Sequence, residues 1–379
     1  MAIKRLVLIA FASALIACSS NDEKVLPPAE LIDFKAEVTL KTVWSENVGN
    51  GQGDIYNRLQ PAVSGGLIFA AANNGDVVAL NKTNGRKVWA RDLQTALSGG
   101  VSVANGQLYV AAVSGDVIAL SSDSGRELWR HNVGAEVLSP VAANDSIAVV
   151  QTLDGRLLGL EAASGEEKWE YISTVPVLTM RSVSTPLLIA DTVVAGFASG
   201  KAVAIDANNG KIRWERRVAI PKGRSELDRI VDIDGALLYR NDLVYVTSYQ
   251  GNAMAIEPSN GRVIWSEPAS SYNGMANGFG NMYISDAEGS IIALAEANGD
   301  IRWQRTELAR RRLSDPAAIS SYVAVGDFEG YVHFLSQVDG HMAGRIRIDS
   351  DGVRAPMLVD GDTLYVYGNS GRLAALKVK

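Results

Sequence analysis

The 379-residue sequence has a single cysteine, Cys18, so no disulfide can form within the chain whatever the redox state of its compartment. Its three histidines, His131, His333 and His341, show no metal-ligand pairing, and they read as strand or turn residues. One acidic stretch, Asp232-x-Asp234-Gly235, begins like a calcium loop, but no further ligands follow at suitable spacing. No metal and no cofactor is expected on these grounds, and no activated nucleophile can be picked out. Positive charge is also scarce. Lys and Arg number 36 against 42 Asp and Glu, a net charge of −6. The only basic triplet, Arg310–Arg311–Arg312, reads as a solvated loop, which argues against a nucleic-acid partner. Almost nothing has the three-to-four-residue apolar period of a helix.

What is present begins with an export signal. Lys4 and Arg5 precede an apolar run from Leu6 to Ile16, too short to span a membrane comfortably. The run ends in Leu15-Ile16-Ala17-Cys18, which resembles the lipobox of bacterial lipoproteins. That resemblance implies removal of residues 1–17, diacylation of the Cys18 thiol and acylation of its new amine. Several acyl chains on one residue anchor firmly, whereas one alone binds marginally. Ser19 rather than Asp follows the cysteine, which by the sorting rule of enteric-type lipoproteins implies the outer membrane, facing the periplasm. Residues 18–36, with Pro27-Pro28, read as the lipidated residue and a flexible tether, and 37–379 as the folded body.

The body repeats itself. A turn glycine opens a short apolar strand eight times, at Gly75, Gly115, Gly155, Gly200, Gly251, Gly289, Gly330 and Gly371, with spacings of 40, 40, 45, 51, 38, 41 and 41 residues. Eight copies at this period mean eight supersecondary units. Six of them continue into Gly-x-x-x-Trp, ending at Trp89, Trp129, Trp169, Trp214, Trp265 and Trp303. In the seventh copy Gly344 stands where Trp is expected, which suggests a looser junction. The eighth unit ends at Lys379 before its marker, and the missing strand lies at the other end of the chain around Trp44. The pattern predicts an all-β, eight-bladed β-propeller of four-stranded antiparallel blades, its ring closed by the N-terminal strand completing the C-terminal blade. Asn74-Gly75 suits a type I′ hairpin. Pro61, Pro140, Pro186, Pro316 and Pro356 fit the starts of innermost strands. The seven tryptophans are expected to be structural, wedged between blades with their N–H groups on backbone carbonyls.

Exceptions to a regular repeat carry the functional signal. Three crossings from one blade to the next are long: 17 residues from Trp44 to Pro61, 17 from Trp169 to Pro186 and 21 from Trp214 to Gly235. All fall at the same point of the repeat and should emerge on one face, where long loops on a rigid ring are suited to recognition. The second is apolar around Leu178 and Met180 and ends at Arg181. The third mixes aliphatics with Arg229, Asp232 and Asp234. Together they would form an interface with an apolar centre and a polar rim of Arg181, Arg229, Asp232 and Asp234. Turn-capping by the two aspartates and blade packing by Leu178 are the competing reading.

The segment Ala204–Trp214 closely resembles the tryptophan-docking repeat of pyrroloquinoline-quinone (PQQ) enzymes, and the repeat covers essentially all of 40–379. With the lipobox and a length near eight bare blades, the chain resembles the BamB family of lipoproteins, subunits of the machinery that assembles β-barrels into the bacterial outer membrane. The resemblance implies a non-catalytic scaffold that binds the periplasmic domains of the central barrel subunit, and a possible contact with unfolded outer-membrane proteins. The family's docking patch falls on Leu178, Met180, Arg181, Asp232 and Asp234, with Met180 departing from the family's usual Leu. Two alternatives stay open: a PQQ-dependent dehydrogenase, disfavoured by the lack of a vicinal cysteine pair, and an envelope lipoprotein with another partner.

Overall fold

The computed structural model describes residues 26–379; the signal segment 1–17, Cys18 and the start of the tether lie outside the described residues. The described chain forms eight antiparallel sheets of four strands each, arranged as the blades of a ring. Blades 1 to 7 span residues 62–92, 97–132, 142–172, 187–217, 238–268, 276–305 and 317–347. Blade 8 joins three strands within 358–378 to the strand Leu40–Asn47. That last pairing runs from Leu40 opposite Val378 to Asn47 opposite Arg372, so the two ends of the body close the ring together. No helix among the described residues is long and apolar enough to cross a membrane.

The sequence pattern explains the packing. In Asp76–Asn81, Val77 and Ala79 point into the core shared with blade 2, while Val78 and Leu80 point into the core shared with blade 8. Alternation along a strand thus becomes burial on both sides, because each middle strand is sandwiched between neighbouring blades. The tryptophan-bearing outer strands are mostly exposed apart from that residue, as in Glu167–Ile172, where Trp169 is the buried one, whereas the outer strand of blade 7 is buried at Met342, Ala343 and Gly344.

Each tryptophan reaches into the next blade. The Nε1–H of Trp169 donates to the Ala207 carbonyl at 2.7 Å, and its ring lies where a Cβ on Gly210 would be. The other six do the same: Trp44 on Lys82, Trp89 on Ser122, Trp129 on Ala162, Trp214 on Pro258, Trp265 on Glu296 and Trp303 on Gln337, always three residues before the turn glycine. The indole N–H is satisfied without water, and the ring face closes the junction.

Three details differ from the sequence reading. First, the Asn73–Gly75 turn is not type I′: only Gly75 has positive φ (103°), Gly75 N–H donates to the Ala72 carbonyl, and Ala72 N–H donates to that of Asp76. This is a type I turn followed by a left-handed glycine, the bulged form of hairpin. Second, residues 27–36, read in the sequence as part of a flexible tether, are packed on the folded body. From Pro27 the chain lies on blade 7 as a strap: Ala29 N–H donates to the Ala309 carbonyl, Leu31 and Phe34 pack on the core, and Arg345 sits 5.3 Å over the Phe34 ring. Third, the junction at Gly344 is filled rather than loose. A tryptophan there would need a glycine turn in blade 8, but at that place blade 8 has its two chain ends. Val38 and Leu40 occupy the space instead, with Val38 Cγ1 only 2.3 Å from where a Gly344 Cβ would be.

Candidate functional site

Each blade's innermost strand begins where the preceding outermost strand ends, so antiparallel order puts all crossings between blades on one face. The long crossings 48–61, 173–186 and 218–237 therefore share a side. The second and third are neighbours and are fastened together, since Met180 N–H donates to Asp232 Oδ2 at 2.9 Å. The base of the third crossing is anchored by buried Val231, Ile233 and Leu237. Its tip caps itself: Asp228 Oδ2 accepts the N–H groups of Arg224 and Ser225, while Ser225 Oγ accepts that of Asp228. The result is a braced pair of loops bearing apolar side chains outward. Val177 is 87% exposed, Leu227 68% and Leu178 41%.

The polar residues fall differently from the rim read in the sequence. Asp232 and Asp234 are 2% and 3% exposed, so neither is a surface group. Burial pushes the Asp232 carboxyl up to about 6, with the Met180 hydrogen bond pulling the other way. Asp234 is held well above the ordinary carboxylate range by burial, with Asp232 adding and Arg58 opposing. Asp232 positions Met180, and through it the loop. Arg181 is partly exposed and its Nη2 donates to Glu136 Oε1 at 2.8 Å, a contact with the crossing between blades 2 and 3. Arg229 stands on the exposed tip, 3.7 Å from Glu226. The structure thus joins Met180 to Asp232 and places Met180, Arg181 and Asp234 on one cavity wall, while Leu178 is exposed and Arg229 stands on the exposed tip beside Glu226.

Sequence reasoning missed a second feature. Side chains from six of the crossings, with Phe328 from a turn of blade 7, meet where Tyr56, Arg58, Met180, Arg181, Asp234, Tyr272, Arg312, Phe328, Asp351 and Arg354 line a cavity of about 660 Å³. The Arg354 guanidinium lies 5.3 Å over the Tyr56 ring, and Arg58 is paired with Asp315. The basic triplet is only in part a solvated loop, with Arg312 exposed, Arg310 half-buried and Arg311 buried. Arg310 Nε donates to the Pro27 carbonyl, Arg311 is buried against Asp327 (Nε to Oδ2, 2.8 Å), and Arg312 lines the funnel. The signal in the sequence was the triplet itself, placed in a crossing of the same face. Among the described residues no group of three or more His, Cys, Asp or Glu could hold a metal ion.

Comparison with known proteins decides the family. The model of the family described as outer membrane protein assembly factor BamB matches residues 73–305 and 287–379. The chain belongs to the BamB family. A relative from Pseudomonas aeruginosa with that name is 59% identical over 376 residues, 99% of each chain. Another from Alkalilimnicola ehrlichii is 45% identical over 374 residues, 99% of this chain and 97% of the relative. The crystal structure of BamB from Moraxella catarrhalis superposes with a TM-score of 0.83 at 27% identity, covering 89% of this chain and all of that one. The quinohemoprotein alcohol dehydrogenase of Comamonas testosteroni shares the fold alone, at 15% identity and a TM-score of 0.72, covering 89% of this chain and 76% of its own. As a BamB-family propeller the chain is not an enzyme, and the PQQ-like repeat marks its architecture rather than a reaction.

Proposed function

We propose that this chain is an assembly factor for outer-membrane proteins, anchored by lipidated Cys18 to the outer membrane on its periplasmic side. It acts by docking the periplasmic domains of the complex's central β-barrel subunit on its crossing face. The family name of its relatives supports the assembly role. One observation carries the docking reading: two adjacent crossings, braced by the Met180–Asp232 hydrogen bond, hold Val177, Leu178 and Leu227 in solvent beside Arg181. Aliphatic groups fixed on a rigid frame lose little entropy when a partner covers them, and Arg181 supplies a charge that sets orientation. Asp232 serves by shaping the loop rather than by touching the partner.

The test is capture of the barrel subunit from detergent-solubilised outer membrane. Leu178→Asp together with Leu227→Asp should abolish capture with the melting temperature unchanged, since both side chains are exposed. Capture that survives places the interface elsewhere, and capture of a different envelope protein by the wild type would replace the partner. Cys18→Ser should move the protein out of the membrane fraction, and its retention there would remove the anchor from this reading.

A further inference from the structure

Ten buried side-chain nitrogen or oxygen atoms among the described residues have no hydrogen-bond partner, and they are not scattered. Six of them, Asn57 Oδ1, Arg58 Nε, Ser139 Oγ, Arg181 Nη1 and both oxygens of Asp234, line one small cavity of about 30 Å³. That cavity adjoins the 660 Å³ funnel and shares with it Tyr56, Arg58, Arg181, Ser182 and Asp234. Buried polar atoms are normally satisfied, so a cluster of orphans at the end of an open funnel marks where a polar group from outside belongs.

We propose that the funnel is a binding site for a carboxylate carried on an apolar body, the carboxylate meeting Arg58, Arg181 and Ser139 and the body lying against Tyr56, Tyr272 and Phe328. The donors fix the sign. Arg58 and Arg181 each keep one guanidinium edge engaged, on Asp315 and Glu136, and leave another N–H free. A carboxylate is the group that accepts from two such cations and a hydroxyl at once. Asp234 would repel an anion if it were ionised. Burial holds its carboxyl well above the ordinary range, which weakens that repulsion. On the wider wall Arg312 and Arg354 have no carboxylate ion-pair partner among the described residues, and besides Asp234 the only carboxylate there is Asp351. An apolar body is called for by the three aromatic side chains, and the volume is that of a small-molecule or short-peptide site.

The experiment is calorimetric titration of the mature full-length protein with 3-phenylpropionate, its neutral amide, and a short peptide holding Asp between two Phe residues. The acid should bind saturably, and the amide roughly tenfold or more weakly, the loss expected for one charge-assisted hydrogen bond. Arg181→Gln and Tyr272→Leu should each weaken the acid by a similar factor. Tyr272 is outside the loop pair, so Tyr272→Leu should leave capture of the barrel subunit intact; this separates failure here from failure of the docking reading. Arg58→Gln is the stricter probe if it folds, because its partner Asp315 is buried. Both sources of the carboxylate support the site: displacement of phenylpropionate by low peptide concentrations assigns it to acidic peptide, and weaker peptide binding assigns it to a free acid. Equal binding of acid and amide, unchanged affinity in Arg181→Gln and Tyr272→Leu, or no saturable binding up to about 10 mM would each overturn it.

Discussion

The contact between Val38 and Gly344 allows a double-mutant cycle whose outcome the geometry dictates. Val38 is buried, and Val38→Ala removes two methyl groups, at about 0.8 kcal/mol each for transfer plus a cavity contribution, or roughly 2 kcal/mol in total. Gly344→Ala introduces a Cβ 2.3 Å from Val38 Cγ1, so something must shift, at a cost of about 1–3 kcal/mol. The next atom in its way is Leu40 Cδ1 at 3.4 Å, an ordinary contact. Once Val38 is truncated, the new methyl therefore has room and refills part of the gap. The double variant should be less destabilised than the two single costs combined, with a coupling of about 1–2 kcal/mol. Urea unfolding followed by tryptophan fluorescence and circular dichroism measures all four corners. Gly66→Ala is the control, because a Cβ there meets nothing within 4 Å. If the single costs add within about 0.5 kcal/mol, the strap does not stand in for the missing tryptophan.

Trp169→Phe should cost about 1–3 kcal/mol by leaving the Ala207 carbonyl unpaired, and Trp169→Ala about 3–5 kcal/mol, both by urea titration; an unchanged stability in Trp169→Phe would mean that the N–H contributes nothing. Arg311→Ala strips Asp327, which is fully buried, of its guanidinium partner and should cost about 3–5 kcal/mol. Because Arg311 Nη1 also donates to the Ala29 carbonyl, tryptic cleavage after Lys35 should accelerate in that variant, and an unchanged rate would refute the strap's attachment there. Asp232 titrates at about 6 in the fold against an ordinary 3.8, so the folded state holds the extra proton between those values. The contribution of Asp232 to stability should fall as pH rises from about 4 to 6, by roughly 3 kcal/mol at most, and Asp232→Asn should reduce the slope over that range. A slope unchanged by the substitution would refute the assignment.

The architecture was legible because a repeat multiplies every local signal eight times. Glycine spacing gave blade number, and the displaced Trp44 gave closure. Pairing of the terminal strands then followed from the need to leave no open edge. The shared face of the long crossings was legible for the same topological reason. What stayed hidden depends on distances between residues far apart in the chain. Asp232 reads in sequence as a surface carboxylate, and only the fold reveals Met180 N–H waiting above it. Gly344 reads as a defect because its partner, Val38, lies 306 positions away and belongs to no repeat. The triplet Arg310–Arg312 looks uniform, yet its three side chains go to the strap, the core and the funnel. Turn type failed for a local reason: Asn-Gly permits two hairpins, and the three-residue form won.

Closure by the first and last strands has a consequence for how the molecule comes into being. During synthesis Leu40–Asn47 emerges early and has no mate until Arg372–Val378 is made, so seven blades can stack before the eighth exists. The unfinished crescent exposes two raw margins, one at each end, and their mutual capture spans nearly the whole chain. Such a long-range event is slow compared with hairpin formation, which makes it the natural last step. It also means that trimming a handful of residues from the carboxyl end removes the mate of a strand made first, and so should reopen the circle.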